Sequence, residues 1–98
     1  MYEQGKGVAQ DDAKAVELWT LAAEQGCAYA QCSLGVFYAQ GKGVAQDDTK
    51  AVELYTLAAE QGNATAQYNL GVMYAQGKGV AQDDTKAVEL YTLAAEQT

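Results

Sequence analysis

The chain has 98 residues, 49% of them hydrophobic and 19% charged, with no proline and a net charge of −7. That is too apolar for a disordered chain and allows one domain with a modest core. The six basic residues against 13 acidic ones argue against nucleic acid and against docking on anionic membranes, both of which need clustered basic surface. No histidine is present, which removes the usual catalytic base and the commonest transition-metal ligand.

The chain divides by self-similarity. Gln4-Gly5-Lys6-Gly7-Val8-Ala9-Gln10-Asp11-Asp12 recurs from Gln40 to Asp48 and again from Gln76 to Asp84, a period of 36 residues. One domain, 1–98, is expected, made of a partial unit (1–26) and two full ones (27–62 and 63–98). In chain order, Met1 to Gln4 reads as the last turn of an otherwise missing first helix. A helix B follows the glycine loop and Asp11-Asp12, and then each full unit contributes a helix A, a glycine loop and a helix B. In the third unit Asn63 should cap helix A, which runs over 64–75 with Ala66, Leu70, Met73 and Tyr74 on one face. Gly77-Lys78-Gly79 breaks it, and Asp83 should cap helix B over 84–97. Gly62 stands where a glycine closes helix B and turns the chain into the next helix A. A two-helix unit cannot bury its apolar face alone, so the expected architecture is all-α: a right-handed α-solenoid of stacked helix-loop-helix repeats.

These residues carry a family resemblance. Ala64-x-Ala66-Gln67-Tyr68-x-Leu70-Gly71-x-Met73-Tyr74-x-x-Gly77-x-Gly79-Val80, then Asp83-x-x-Lys86-Ala87-Val88 and Ala94-Ala95-Glu96-Gln97, is similar to the Sel1-like repeat, a relative of the tetratricopeptide repeat. The resemblance covers essentially the whole chain. It implies a non-catalytic adaptor or scaffold for other proteins, with helices A on the concave face and helices B on the convex one. Two features depart from the pattern. Some secreted members pair cysteines spaced C-x7-C, whereas here Cys27 and Cys32 are five apart. Leu21, Leu57 and Leu93 stand where the family usually has lysine or another polar residue.

The helical arc opposite the core contains Thr65, Tyr68, Asn69, Val72 and Gln76, and one unit earlier Tyr29, Cys32, Ser33, Val36 and Gln40. These ten are the candidate protein-binding groove. The two helices A differ at 27/63, 29/65, 32/68, 33/69 and 37/73, and three of those differences fall on this arc. Variation on a constant frame suits a binding surface, and drift at unconstrained exposed positions suits it as well. Tyr29 and Tyr68 are the anchor candidates, because tyrosine is enriched at interfaces. Leu21, Leu57 and Leu93 fall within the polar side of helix B and would form an apolar ridge on the convex face, open to contact or covered by loops. Gly71 inside helix A points to close approach of a neighbouring helix.

Other chemistry is set aside. Gly41-Lys42-Gly43 lacks the remainder of a phosphate loop, and the Asp-Asp pairs lack the rest of a calcium loop. Two cysteines without histidine do not make a zinc site, so no metal and no cofactor is expected. Free thiols are the default, with an intermolecular bridge through an exposed Cys32 as an option. Met1-Tyr2-Glu3-Gln4 has neither a charged n-region nor an apolar h-region, and no stretch is apolar enough to span a bilayer. A soluble chain without a signal peptide is therefore expected, its compartment undetermined. The functional expectation is a protein or peptide partner of basic or neutral surface in the groove. The alternatives are a homodimer through uncapped ends, or a consensus-like scaffold without a specific ligand.

Overall fold

A computed structural model of the chain describes residues 11–97. Those residues form five helices and no strand: α1 (Asp12–Glu24), α2 (Ala28–Gln40), α3 (Asp48–Glu60), α4 (Ala64–Gln76) and α5 (Asp84–Glu96). Each helix packs chiefly on its neighbours in the chain. The result is an elongated, right-handed α-solenoid of 44 × 25 × 24 Å. In the third unit, helix A extends one residue past its expected end and helix B stops one residue short. The expected last turn at Met1 to Gln4 lies outside the described residues.

The caps fall where side-chain chemistry puts them. Asn63 Oδ1 accepts from the Ala66 amide at 2.8 Å, and Asp47 and Asp83 accept from the Lys50 and Lys86 amides at 3.0 Å. Each bond satisfies an amide that the first helical turn leaves orphaned. Cys27 occupies the same position ahead of α2, and its side chain makes no such bond. The glycine loop after each helix A is pinned. Gln82 Nε2 donates to the Ala75 carbonyl (2.9 Å) and the Asp83 amide to the Tyr74 carbonyl (3.0 Å), and Gln46 and Asp47 do the same one unit earlier.

Two classes of glycine build the stack. Gly35 and Gly71 lie inside α2 and α4 and receive aromatic rings from the following helix B. A Cβ on Gly35 would lie 2.7 Å from Tyr55 Cε1, and one on Gly71 2.8 Å from Tyr91 Cε1. The expected helix approach is thus, at closest range, an approach of a tyrosine ring. Gly43 and Gly79 act between units. Gly79, at φ +74°, sits against the start of α3, where a Cβ would fall 2.5 Å from the Asp48 carbonyl oxygen. Gly43 sits in the same way on Asp12 at the start of α1.

The core lies in two clusters. One holds Val16, Ala23, Ala30, Leu34 and Leu54, and the other Cys32, Ala51, Val52, Tyr55, Ala58, Ala66, Leu70, Met73 and Leu90. The second joins two successive units, because α4 lays Ala66, Leu70 and Met73 against α2 and α3. Cys32 was expected to face outward and is buried in this cluster. Its place on an outward arc follows from a helix taken alone. In the stack, the following helix A closes that flank.

A polar ladder runs beside the clusters. Gln31 and Gln67 are buried, one residue after a core alanine in each helix A. Gln67 Nε2 donates to the Ala59 carbonyl (3.2 Å) and Gln31 Nε2 to the Ala23 carbonyl (3.3 Å), each reaching the end of the preceding helix B. Gln61 Nε2 then donates to Gln31 Oε1 and to the Gly26 carbonyl, both at 2.9 Å, and Gln97 Nε2 to Gln67 Oε1 at 3.5 Å. The Ala23 and Ala59 carbonyls also accept the Gly26 and Gly62 amides, so the buried glutamines add a second bond at each helix end while satisfying their own side chains. Gln67→Ala is expected to cost about 1 kcal/mol, because it removes one hydrogen bond to an Ala59 carbonyl that still accepts the Gly62 amide. Urea unfolding followed by circular dichroism checks this, and an unchanged midpoint would refute it.

Candidate protein-binding groove

Four of the ten candidates converge. Tyr68, Asn69, Val72 and Gln76 of α4 line one cavity of about 390 Å³ with Met73, Ala39, Asp48, Tyr55 and Lys78. The cavity lies where α4 crosses the end of α2 and the first half of α3. Val72, Met73 and Ala39 supply apolar lining, and the other lining residues are an amide pair, two phenol rings and one charge of each sign. This composition suits a polar backbone or an apolar side chain of a partner, and it contains no nucleophile–base pair.

The remaining candidates lie elsewhere. Thr65 lines a second cavity with Tyr68, at the end of the stack. Tyr29 and Gln40 are exposed, and Ser33 and Val36 are half-buried, with Val36 packed on the core. None of these four lines the α4 cavity. Cys32 is removed from the set by its burial: it is 5% exposed, against 55% for Tyr68 at the same register.

Both anchor tyrosines are exposed, and both are held by another ring. Tyr29 meets Trp19 edge-on at 5.5 Å, and Tyr68 meets Tyr91 at 5.5 Å in a tilted pair. A ring fixed before a partner arrives loses little rotamer entropy on binding. Asn69 lines the same cavity as Tyr55 of the preceding unit, and its side chain acts on the Tyr55 hydroxyl. Burial pushes the Tyr55 phenol up to about 12. Cys32 and Asp48 add to the shift, and the Asn69 bond opposes it.

Burial also raises the Cys32 thiol above its usual range, whereas Cys27 is exposed. A bridge through Cys32 is therefore overturned, because the accessible thiol is Cys27. A disulfide-exchange reagent at pH 8 should label one thiol per native chain quickly and the second only on unfolding. Rapid labelling of both in the native protein would contradict this arrangement.

Leu21, Leu57 and Leu93 are exposed, so loops do not cover them. Leu57 and Leu93 each border a cleft between successive helices B, of about 240 and 260 Å³. The two clefts are lined by identical residues one period apart, from Thr20 and Thr56 at one end to Leu57 and Leu93 at the other. Among the described residues, no cluster of three or more potential ligands could hold a metal, and no helix is long and apolar enough to cross a membrane.

Stacked two-helix units joined by glycine-loop contacts define a solenoid repeat protein. The Sel1 repeat matches residues 1–27, 28–63 and 64–98, so the chain belongs to the Sel1 repeat family. Members are in general non-catalytic protein-interaction scaffolds. Two solved structures are similar. A protective antigen of uropathogenic Escherichia coli displaying an SLR fold is 45% identical, with a TM-score of 0.90, over 98% of this chain and 21% of that one. A Sel1 repeat protein from Oxalobacter formigenes is 36% identical, with a TM-score of 0.84, over 88% of this chain and 35% of that one. The chain thus spans about a fifth and about a third of these proteins. No curated protein matches it significantly.

Proposed function

We propose that the chain is a binding element of a protein-interaction scaffold that takes a peptide or protein segment in the α4 groove. The observation that carries this reading is the convergence of Tyr68, Asn69, Val72 and Gln76 on one open cavity. Tyr29 adds a second fixed aromatic on the preceding unit. The net charge of −7 favours a neutral or basic partner by steering, and Asp48 in the cavity lining favours one locally. A groove built on two helices A is small, so a single chain binds weakly.

Affinity capture with the chain as bait tests this, beside a Tyr29→Ala/Tyr68→Ala variant of equal helicity and a Val88→Glu variant. The expected result is a protein lost with the tyrosine variant and retained by Val88→Glu. A protein retained by the tyrosine variant would sink the groove reading. A second reading is self-association through the helix-B side, favoured by the three exposed leucines and their matching clefts. Light scattering of Leu57→Lys/Leu93→Lys against the parent separates the two, since only that reading makes the parent larger.

A further inference from the structure

We propose that the exposed side of the helices B is a docking surface for a basic amphipathic helix of a partner protein, whose apolar residues fill the two clefts bordered by Leu57 and Leu93. The surface shares no lining residue with the groove, and the proposal does not rest on the groove reading.

The clefts belong to the stack and not to its ends. The first lies between α1 and α3, with α4 and α5 following it. The second lies between α3 and α5, with α1 and α2 preceding it. Both are open, and their volumes are nearly equal, about 240 and 260 Å³. Leu57 has described helices on both sides of it and is still 49% exposed, against 45% for Leu93. Each cleft has apolar walls: Leu34, Tyr38 and Leu54 in the first, Leu70, Tyr74 and Leu90 in the second. Apolar walls with a leucine standing in water at their edge mark an interaction surface.

The spacing of the clefts selects a helix. They flank α3, which gives Leu54 and Leu57 to one and Thr56 and Ala59 to the other. Their separation is therefore about one helix diameter, ~10–12 Å. Two turns of helix rise ~11 Å, so a helix lying across the helices B places residues i and i+7 in successive clefts. The identical linings call for the same large apolar side chain twice.

Charge selects its flanks. Each helix B carries three acidic residues and one lysine. Glu53 and Glu60 stand four residues before and three after Leu57, on the same exposed face, and the pattern recurs about Leu21 and Leu93. The leucines are thus bordered by glutamates on both sides. Among the described residues, only Lys50 comes within ion-pair distance of a glutamate, 4.0 Å from Glu53. Lysine or arginine beside the partner's apolar stripe would meet both borders. A second copy of this chain fits less well. Leucine set on leucine brings Glu53 and Glu60 of one copy against those of the other, whichever way the helices run.

The probe is a capped synthetic peptide of alanine and lysine with two leucines seven apart, about 18 residues long so that it holds partial helix alone. It is titrated into the full chain and followed by amide chemical shifts. The contact is small, so weak binding is expected. The expected shifts cluster at Leu57, Ala59, Leu90 and Leu93 and spare Asn69. Leu57→Gln/Leu93→Gln should weaken binding roughly tenfold or more. That variant should melt like the parent, because both side chains are exposed in the free chain. A peptide with its leucines five apart, on different faces of its helix, should also bind roughly tenfold more weakly, and this arm leaves the chain untouched. With glutamate in place of lysine the peptide should not bind. The proposal is overturned if the first peptide fails to bind at millimolar concentration, if the leucine variant binds it equally, or if its spacing or charge makes no difference. Self-association abolished by Leu57→Gln/Leu93→Gln without peptide binding would assign the face to a second copy and overturn it equally.

Discussion

Replacing Gly79 by alanine is expected to lower the melting temperature by about 15 °C, corresponding to about 3 kcal/mol for a chain of this size. Two costs combine. Gly79 sits at φ +74°, where an L-residue pays ~1–2 kcal/mol. The added methyl would also lie 2.5 Å from the Asp48 carbonyl oxygen and 2.7 Å from its carbon. Both are backbone atoms at the start of α3, so no side-chain rotation relieves the contact and the loop must move off the neighbouring unit. Gly62→Ala is the matched control. It has φ +90° and meets nothing nearer than the Gln97 amide at 3.9 Å, so it bears only the conformational cost. Thermal unfolding of both variants separates the terms, and equal losses would show that the loop contact contributes nothing.

Tyr55→Ala should be the more damaging core substitution, at about 4 kcal/mol. Tyr55 is 4% exposed, fills the space above Gly35 and belongs to the cluster that joins two units. Tyr55→Phe keeps the ring and loses only the hydroxyl that Asn69 acts on, at most about 1 kcal/mol. The hydroxyl makes a second, pH-dependent contribution. Its folded pKa of about 12 stands above the ~10 of an unfolded tyrosine, so the folded state holds the proton longer. The associated stability is fully present below about pH 10 and is lost as pH rises toward 12, amounting to about 2–3 kcal/mol. Cys32, raised by burial, acts in the same direction. Melting curves from pH 8 to 12 should therefore fall more steeply for the parent than for Tyr55→Phe. Parallel curves would show that the phenol ionises without strain.

The fold was legible because the sequence repeats itself. Gly62 and Asn63 sit at a unit junction and Asp83 at the start of a helix B, and each does locally what its side chain, or the lack of one, dictates. The convergence of Tyr68, Asn69, Val72 and Gln76 followed from helical geometry alone. The failures share one cause, which is contact between units. Cys32 lies on an outward arc only until α4 covers it. Gln67 was given no role of its own, although its spacing from Leu70 and Tyr74 (i, i+3, i+7) placed it on the inner face. Gly79 read as a helix breaker, and its approach to Asp48 spans the boundary between one unit and the next. Periodicity within a helix carries no information about what the next helix will do.

Because each helix packs chiefly on those adjacent in the chain, structure can form without closing long loops. A chain of such low contact order should fold quickly, with nucleation at whichever helix pair first assembles and growth outward by one neighbour at a time. Under pulling from its two ends, the same design yields by shedding helices from the extremities while the middle holds. The central helix α3, packed on α2 on one side and α4 on the other, would be the last to let its amides exchange with solvent.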